Sequence, residues 1–395
     1  MLDQNTDRMW YVIGALVVGA GIIIVANIFM PETVESILMS MSDTADAGVA
    51  AASKLGVLGT VVEGNHKEEA IAVYEDWASK YLVPLGNQMI VNSSDNAGTF
   101  TATSESHGYG MLMTALQPSS EVNKERFDKL YAYYLANRGH GTQLMAWQQT
   151  YTSGGALTSN DENNATDGDI FIAEALYIAS KTYPENAEAY LEQAKLLMAD
   201  MLDYNYNPDA NILVVSNWAD DNTKEWTVFR SSDVVPAFFS DFQKVSGDSR
   251  WGSVSNAMTN YMLDVSKSNQ SGLVPDFIDV KSGKGVPVDY NVMWDPEATY
   301  YGWSGIRVPF LLGISTSGTG RQVLTRMTNF LNNEDPLYAL YYLDGSPAAN
   351  YSSVATLEPL NYANKQLSKE DTLTYQLPNG GYYADTVYAL TRILN

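Results

Sequence analysis

Between Lys67 and the C-terminus, apolar residues recur at helical spacing in one segment after another, separated by loops rich in Gly, Asn, Ser and Asp. The pattern predicts helices over Glu68 to Lys80, Gly110 to Leu116, Glu125 to Asn137, Asp169 to Thr182 and Ala187 to Asp203. It resumes over Val234 to Val245, Ser253 to Lys267, Ile306 to Leu312, Gly320 to Leu331 and Tyr382 to Leu394. A strand–helix–strand rhythm with a glycine-rich phosphate loop is missing, and Gly108-Tyr109-Gly110 lacks the rest of a dinucleotide fingerprint. A single all-α domain over residues 66–395 is the simplest account, and 45% hydrophobic composition is enough to fill a large core.

The N-terminal region reads differently. After a short tail, residues 1–8, the run Met9 to Met30 carries no charge and is dominated by Val, Ile, Ala and Gly. As a helix it is long enough to cross a bilayer core of about 30 Å. Secretory signal cores are shorter, roughly 7 to 15 residues, and Pro31 and Glu32 follow without a small-residue cleavage pattern. The expectation is a single-pass transmembrane anchor, with cleavage near Ala45-Asp46-Ala47 as the alternative. Arg8 before the run and Glu32 and Glu35 after it favour a cytoplasmic N-terminus and a large domain outside the cell membrane. Residues 31–65 turn to Ser, Ala, Gly and Val and read as a stalk.

Charge and rare residues exclude several chemistries. A formal charge of −23 argues against a nucleic-acid surface, which needs clustered Lys and Arg, and suits a neutral or cationic polymer better. With no cysteine, thiolate nucleophiles and Cys-ligated zinc are ruled out. The three histidines, His66, His107 and His140, lack metal-motif spacing, so neither a metal nor a cofactor is expected. His107 reads equally as a cleft residue or as local packing.

Two acidic clusters open helical patterns. Glu105 lies in Thr103-Ser104-Glu105-Ser106-His107-Gly108-Tyr109-Gly110-Met111. One reading makes Ser104 an N-cap and Glu105 a first-turn acid. The other makes Glu105 a proton donor, its pKa raised by withdrawal from water beside an aromatic wall. The second cluster, Ala165-Thr166-Asp167-Gly168-Asp169, precedes Ile172, Ala173, Leu176, Tyr177 and Ala179.

With Leu144-Met145-Ala146-Trp147 between them, these segments resemble glycoside hydrolase family 8, and the run from Ala165 to Leu176 fits over twelve positions. The resemblance extends from about Tyr74 to the C-terminus. It implies an (α/α)6 barrel of six inner and six outer helices, with a cleft across one end. It also implies an inverting O-glycosyl hydrolase with Glu105 as general acid and Asp167 acting on the sugar at the point of cleavage. Asp169 would support the helix start or line the cleft. An inverting enzyme further needs a base to activate water, its carboxylate roughly 6.5 to 9.5 Å from the acid. Family members often carry that base in Tyr-Asp-Ala-x-Arg-x-Pro. This chain has Trp303-Ser304-Gly305-Ile306-Arg307-Val308-Pro309, and a serine hydroxyl cannot activate water unaided. Asp233, in Arg230-Ser231-Ser232-Asp233, is the first substitute; Glu297 and Asp295, in Trp294-Asp295-Pro296-Glu297, are the next.

Sugars bind by stacking their apolar faces on aromatic rings. Tyr109 and Trp147 lie in family-like segments and are the expected platforms; Arg307 would pair with a cleft carboxylate, and Asp169 and Trp303 complete the expected binding set. For Trp218, Trp226, Trp294 and Trp303, packing is an equal reading. The function expected is a membrane-anchored, extracellular inverting endo-glycanase for a β-linked polysaccharide, trimming an exported exopolysaccharide. The alternative is a polysaccharide-binding surface protein that lost its base at Ser304. Nothing in the chain indicates a protein partner.

Overall fold

The computed structural model describes residues 62–96, 98–368 and 380–394. The expected tail, membrane anchor and nearly all of the stalk lie outside the described residues. The chain joins the folded unit at Val62, which is buried, and Asn65 N–H donates to the Ile393 carbonyl at 2.7 Å. Among the described residues, no helix is long and apolar enough to cross a membrane.

Eleven α-helices are described: α1 (Glu68–Tyr81), α2 (Ser104–Ala115), α3 (Glu121–Ala136), α4 (Thr166–Thr182), α5 (Ala187–Tyr204), α6 (Pro236–Ser246), α7 (Arg250–Ser268), α8 (Val308–Gly313), α9 (Gly318–Leu331), α10 (Val354–Gln366) and α11 (Gly381–Ile393). Six of them form a closed ring in which each packs on the next: α2, α4, α6, α8, α10, α11 and back to α2. The helices α3, α5, α7, α9 and α1 pack outside it against successive ring members. This is an (α/α)6 barrel. Two ring helices are buried nearly all round: of α2, only Glu105 escapes burial, and every residue of α4 from Thr166 to Ala179 is buried. A helix buried on all sides has no amphipathic stripe, which is the pattern an inner helix between two layers requires.

The all-α barrel carries additions that periodicity did not show: among the described residues, ten short strands form four small antiparallel sheets in its connections. A hairpin pairs β1 (Leu82–Leu85) with β2 (Gln88–Val91), and the largest sheet pairs β3 (Thr99–Thr103) with β4 (Ala146–Thr152), and β4 with β5 (Leu157–Asn164). These strands sit in the long connections, where Asn, Ser, Thr and Asp obscure the two-residue alternation. Helix α2 also begins at Ser104 rather than Gly110. Its N-cap is Thr103, not Ser104: the Thr103 hydroxyl accepts from Ser106 N–H and the Ser106 hydroxyl accepts from Thr103 N–H, both at 3.0 Å.

Candidate active site

The first turns of the inner helices supply the charged groups. Glu105 lies in the first turn of α2 and Asp167 in the first turn of α4. Asp233 ends a short 3-10 turn, Ser231–Asp233, just before α6, and Arg307 ends another, Gly305–Arg307, just before α8. Helix N-termini carry unpaired N–H groups and partial positive charge, so this end of the barrel favours carboxylates.

Helices α2 and α4 meet so closely that side chains are excluded at the crossing. A Cβ on Gly168 would lie 2.3 Å from the Ser104 hydroxyl oxygen, and one on Gly108 would lie 2.8 Å from the Gly168 carbonyl oxygen. That approach brings Glu105 and Asp167 together.

Arginines then divide the pair. The Arg307 guanidinium donates to Glu105 at 2.7 Å, to the Tyr109 hydroxyl, and to the Ser304 hydroxyl at 3.2 Å. Arg230 donates to Asp167, whose other oxygen accepts Gly168 N–H at 2.9 Å. Burial raises the pKa of Glu105, Arg307 opposes the rise, and the negative charge of Asp167 adds to it; the net shift is upward. Burial also pushes Asp167 up, but Arg230 and Arg307 together overcome it and hold that carboxyl below its ordinary range. The two carboxyls are therefore drawn apart, Glu105 toward its protonated form and Asp167 toward its ionised one. Its side chain keeps 21% of its surface exposed, whereas Asp167 keeps 1%.

The other expected residues fall into two groups. Asp233 is 1% exposed, and burial raises its pKa well above the carboxylate range despite nearby Arg230. Glu297 is half-buried and lines a cavity of about 620 Å³ together with Trp303 and Tyr300. Its N–H donates to Asp295 at 2.9 Å, and burial, followed by the hydrogen bond and then the charge of Asp295, raises its pKa. Gly302 allows its loop to lie against the turn before Ser304, since a Cβ there would meet the Glu297 Cβ at 2.4 Å. Trp147 is half-buried at a bulge in β4, two residues after Met145, whose N–H donates to Asp169 at 2.8 Å. Trp303 is half-buried, and its carbonyl accepts from the Tyr383 hydroxyl.

Tyr109 and Asp169 do not face the cleft as expected. The Tyr109 ring is 1% exposed and packs edge-on against Phe171, 4.6 Å between centroids, so it offers no face to a sugar and instead steadies Arg307. Asp169 is fully buried, with Met145 N–H on one oxygen and the Asn164 amide on the other, each at 2.8 Å. His107 is a core residue: its Nε2 pairs with the Leu130 carbonyl at 2.9 Å, and burial lowers its pKa to about 4.

Sequence reasoning missed Arg230, Tyr383 and Asp276. One Asp276 oxygen accepts Gly302 N–H at 2.9 Å and Gly305 N–H at 2.7 Å, and the other accepts Ser304 N–H at 3.0 Å. This buried carboxyl pins the turn that carries Ser304 and Arg307. Burial raises its pKa to about 7 against those N–H groups. A lone Val-Pro-Asp-Phe stretch carries no signal for that role.

Two carboxyls with opposed proton affinities, set at the starts of neighbouring inner helices of an (α/α)6 barrel, fit one class: glycoside hydrolases that work by general acid catalysis. The chain belongs to one family of that class, described as Glycosyl hydrolases family 8, which matches residues 58–375. It is therefore an O-glycosyl hydrolase. It is similar to a beta-glucanase of Niallia circulans, 27% identical over 345 residues, covering 82% of this chain and 83% of that one. It is also similar to Endoglucanase A of Acetivibrio thermocellus, 26% identical and covering 81% of this chain and 67% of that one. Among solved structures, a beta-1,3-1,4-glucanase from Paenibacillus sp. X4 superposes with a TM-score of 0.71 at 23% identity, covering 85% of this chain and 94% of the other.

Proposed function

We propose that the protein cleaves internal linkages of a β-linked glucan with inversion, Glu105 protonating the departing glycosidic oxygen. The observation that carries this reading is the divided setting of the paired carboxyls: Glu105, 21% exposed, meets Arg307, while Asp167, 1% exposed, meets Arg230, and their pKa values are pushed in opposite directions. An acid of that kind can protonate the leaving oxygen as the C–O bond breaks, while the negative charge of Asp167 behind it favours the positive charge that grows at the anomeric carbon. The glucanase names of the curated relatives support glucan as the substrate class.

For the base, we favour Glu297 over Asp233. A base must reach water and be ionised when the acid is still protonated. Asp233 is sealed and held toward its neutral form, which suits packing against Arg230. Glu297 has solvent access, lines the cavity shared with Trp303, and gains proton affinity from Asp295. In this scheme Glu297 takes a proton from water as the water oxygen bonds to the anomeric carbon on the face opposite Glu105. Trp147 and Trp303 hold the chain by stacking.

Glu105→Gln and Glu297→Gln are each expected to lower reducing-end release from β-glucan by about 10²–10⁴-fold. Azide, which needs no base, should restore part of the turnover in Glu297→Gln and yield the inverted glycosyl azide. Azide rescue of Asp233→Asn instead would move the base to Asp233. Full activity of Glu105→Gln would overturn the mechanism.

The apolar run Met9 to Met30 supports a single-pass anchor with the hydrolase domain outside the cell, where it could trim an exported polysaccharide. Full-length protein should sediment with membranes and resist extraction by high salt; recovery in the salt wash would remove the anchor.

A further inference from the structure

Asp276 is fully buried just before the short strand Phe277–Asp279, which pairs with the strand Val228–Arg230. Its main chain meets two of the segments that carry the site. The carbonyl accepts Ser231 N–H at 2.8 Å, next to Arg230, and the N–H donates to the Tyr300 carbonyl at 2.9 Å. Tyr300 N–H in turn donates to the Glu297 carbonyl at 3.1 Å, so this second segment is the tight turn that begins at Glu297. The side chain meets the third: Gly302, Ser304 and Gly305 all donate to it from the stretch that ends at Arg307. One residue thus joins the segments that bring Arg230 to Asp167, Arg307 to Glu105 and Glu297 to its cavity.

The place of the carboxylate is built from both sides. A Cβ on Gly302 would lie 2.6 Å from one Asp276 oxygen and 2.4 Å from the Glu297 Cβ, and one on Gly305 would lie 3.2 Å from the other oxygen. Glycine at position 302 therefore lets the carboxylate and the Glu297 loop close on the same point. Successive N–H groups in a turn form a concave anion site, and donors on both oxygens favour the charged form. The Arg307 charge adds to that preference, against burial and the Asp295 charge. Asp276 is sealed from substrate, so any part it takes in the chemistry passes through the residues it holds.

We propose that Asp276 is a positioning residue for both halves of the reaction: its clamp on Gly302, Ser304 and Gly305 fixes Arg307 against the acid Glu105 and fixes the end of the loop that presents the base Glu297. The roles of acid and base rest on the hydrolase reading; the clamp rests on the hydrogen bonds. Inversion needs an acid and a base held at a set separation on opposite faces of one sugar. A displacement of about 1 Å at either can cost about 10²-fold in rate. Asp276 sets both from one point, since Glu105 takes its position from Arg307 at 2.7 Å and Glu297 lies across Gly302.

The test uses the full chain carrying Asp276→Asn, which keeps the size of the side chain but sets an amide donor against a backbone N–H. On β-glucan, kcat should fall about 10- to 100-fold while KM stays within about threefold. Two probes separate misplacement from general damage. A dinitrophenyl β-cello-oligosaccharide departs without a proton, so on it the loss should shrink to less than about tenfold, and azide, which needs no base, should recover part of what remains. Gly302→Ala, whose methyl group wedges Asp276 away from Glu297, should give the same pattern from a different contact. Equal losses on both substrates with azide silent, in either variant, overturn the positioning role, as does a kcat on β-glucan that Asp276→Asn leaves within about twofold. Amide hydrogen exchange needs no turnover: Asp276→Asn should speed it about tenfold or more at Gly302, Ser304 and Gly305 and leave α4 as it was. If exchange responds so while the unaltered protein releases no reducing ends, the hydrolase reading fails and the clamp on Arg307 stands. If glucan is cleaved and neither kcat nor exchange responds, the hydrolase reading stands and the clamp falls.

Discussion

Helix α4 carries two buried acid pairs, and they behave in opposite ways. At its first turn Asp167 meets Glu105; two turns further on, Glu174 lies near Asp241 of α6. Glu174 is fully buried and Asp241 is 1% exposed, and among the described residues neither Glu174 oxygen has a hydrogen-bond donor. The cations near this second pair are lysines. Lys181 rests 3.4 Å from the centre of the Tyr177 ring, and burial lowers its own pKa. Burial raises Glu174 well above its ordinary range and, against Lys181 and Lys244, lifts Asp241 to about 6. Both acids of the inner pair thus move the same way. In the outer pair, buried arginines pin one acid ionised, and an opening to solvent leaves the other able to exchange its proton. Burial alone makes neutral acids; a pair with divided roles also needs positive charge placed unevenly and access to substrate.

The sharpest way to break the contrast is to remove the dividing charge. Arg307→Met leaves Glu105 and the Tyr109 hydroxyl without their shared donor. Arg307 also counters the charge of buried Asp167, and removing one partner of a buried charge cluster typically costs about 3–5 kcal/mol, so urea unfolding should show a loss of that order. Turnover on β-glucan should fall by about 10²-fold or more, as expected when an acid loses its positioned state. A variant that keeps its activity would mean that the arginine is structural and the acids divide without it.

A smaller effect is expected at the contact that brings the outer pair together. Gly168→Ala drives a methyl group against Ser104, where the present spacing is 2.3 Å to oxygen and 2.5 Å to backbone carbon. Overpacking of this kind costs about 1–3 kcal/mol. Because the displaced residue adjoins Glu105, kcat should fall while the melting transition remains cooperative. Loss of stability with kcat intact would show that the crossing only packs the barrel.

The inner pair gives the converse. A carboxyl whose folded pKa is raised contributes stability at low pH and loses it as pH rises through that value. Stability of the unaltered protein should therefore decline as pH climbs above the ordinary carboxylate range and through about 6, where Asp241 titrates. Glu174→Gln removes one of the groups forced to ionise, so its advantage over the parent should grow with pH, to roughly 1–3 kcal/mol on the alkaline side. Thermal melts across pH measure it, and turnover at the optimum should stay within about twofold, as for changes away from a reacting centre. An equal gain at every pH would point to packing rather than titration.

Much of the outer pair was legible in the sequence because its residues sit in contiguous helix starts. Glu105, Asp167 and Arg307 each stand in a short run whose spacing survives without tertiary context, and the structure joins those runs. Arg230 and Asp276 were not legible, since their roles exist only across contacts between distant segments, Arg230 with Asp167 and Asp276 with the Gly302-to-Gly305 turn. Tyr109 misled for a related reason: a tyrosine beside an acid reads as a sugar platform until the facing Phe171 is known. Helix α10 escaped because Pro359 inside it reads as a breaker, although Ser353 caps its start. Closure of the ring is likewise tertiary, for periodicity specifies a buried helix but not which helices stand beside it.

The finest comparison lies in the pH profile of kcat/KM. Activity requires the proton on Glu105, so it must fall as pH rises through the pKa of that group, and this sets the alkaline limb. Burial and the Asp167 charge raise that pKa, while Arg307 and Arg230 lower it. Asp167→Asn removes a raising charge and should shift the limb toward acid by about one pH unit or less; Arg307→Gln removes a lowering charge and should shift it the opposite way. Glu174→Gln, on the same helix but in the inner pair, should leave the limb where it is. Limb position is independent of the height of the profile, so the loss of rate expected from Asp167→Asn does not blur the measurement. If the limb ignores Asp167 and follows Glu174, the two pairs have been assigned the wrong roles.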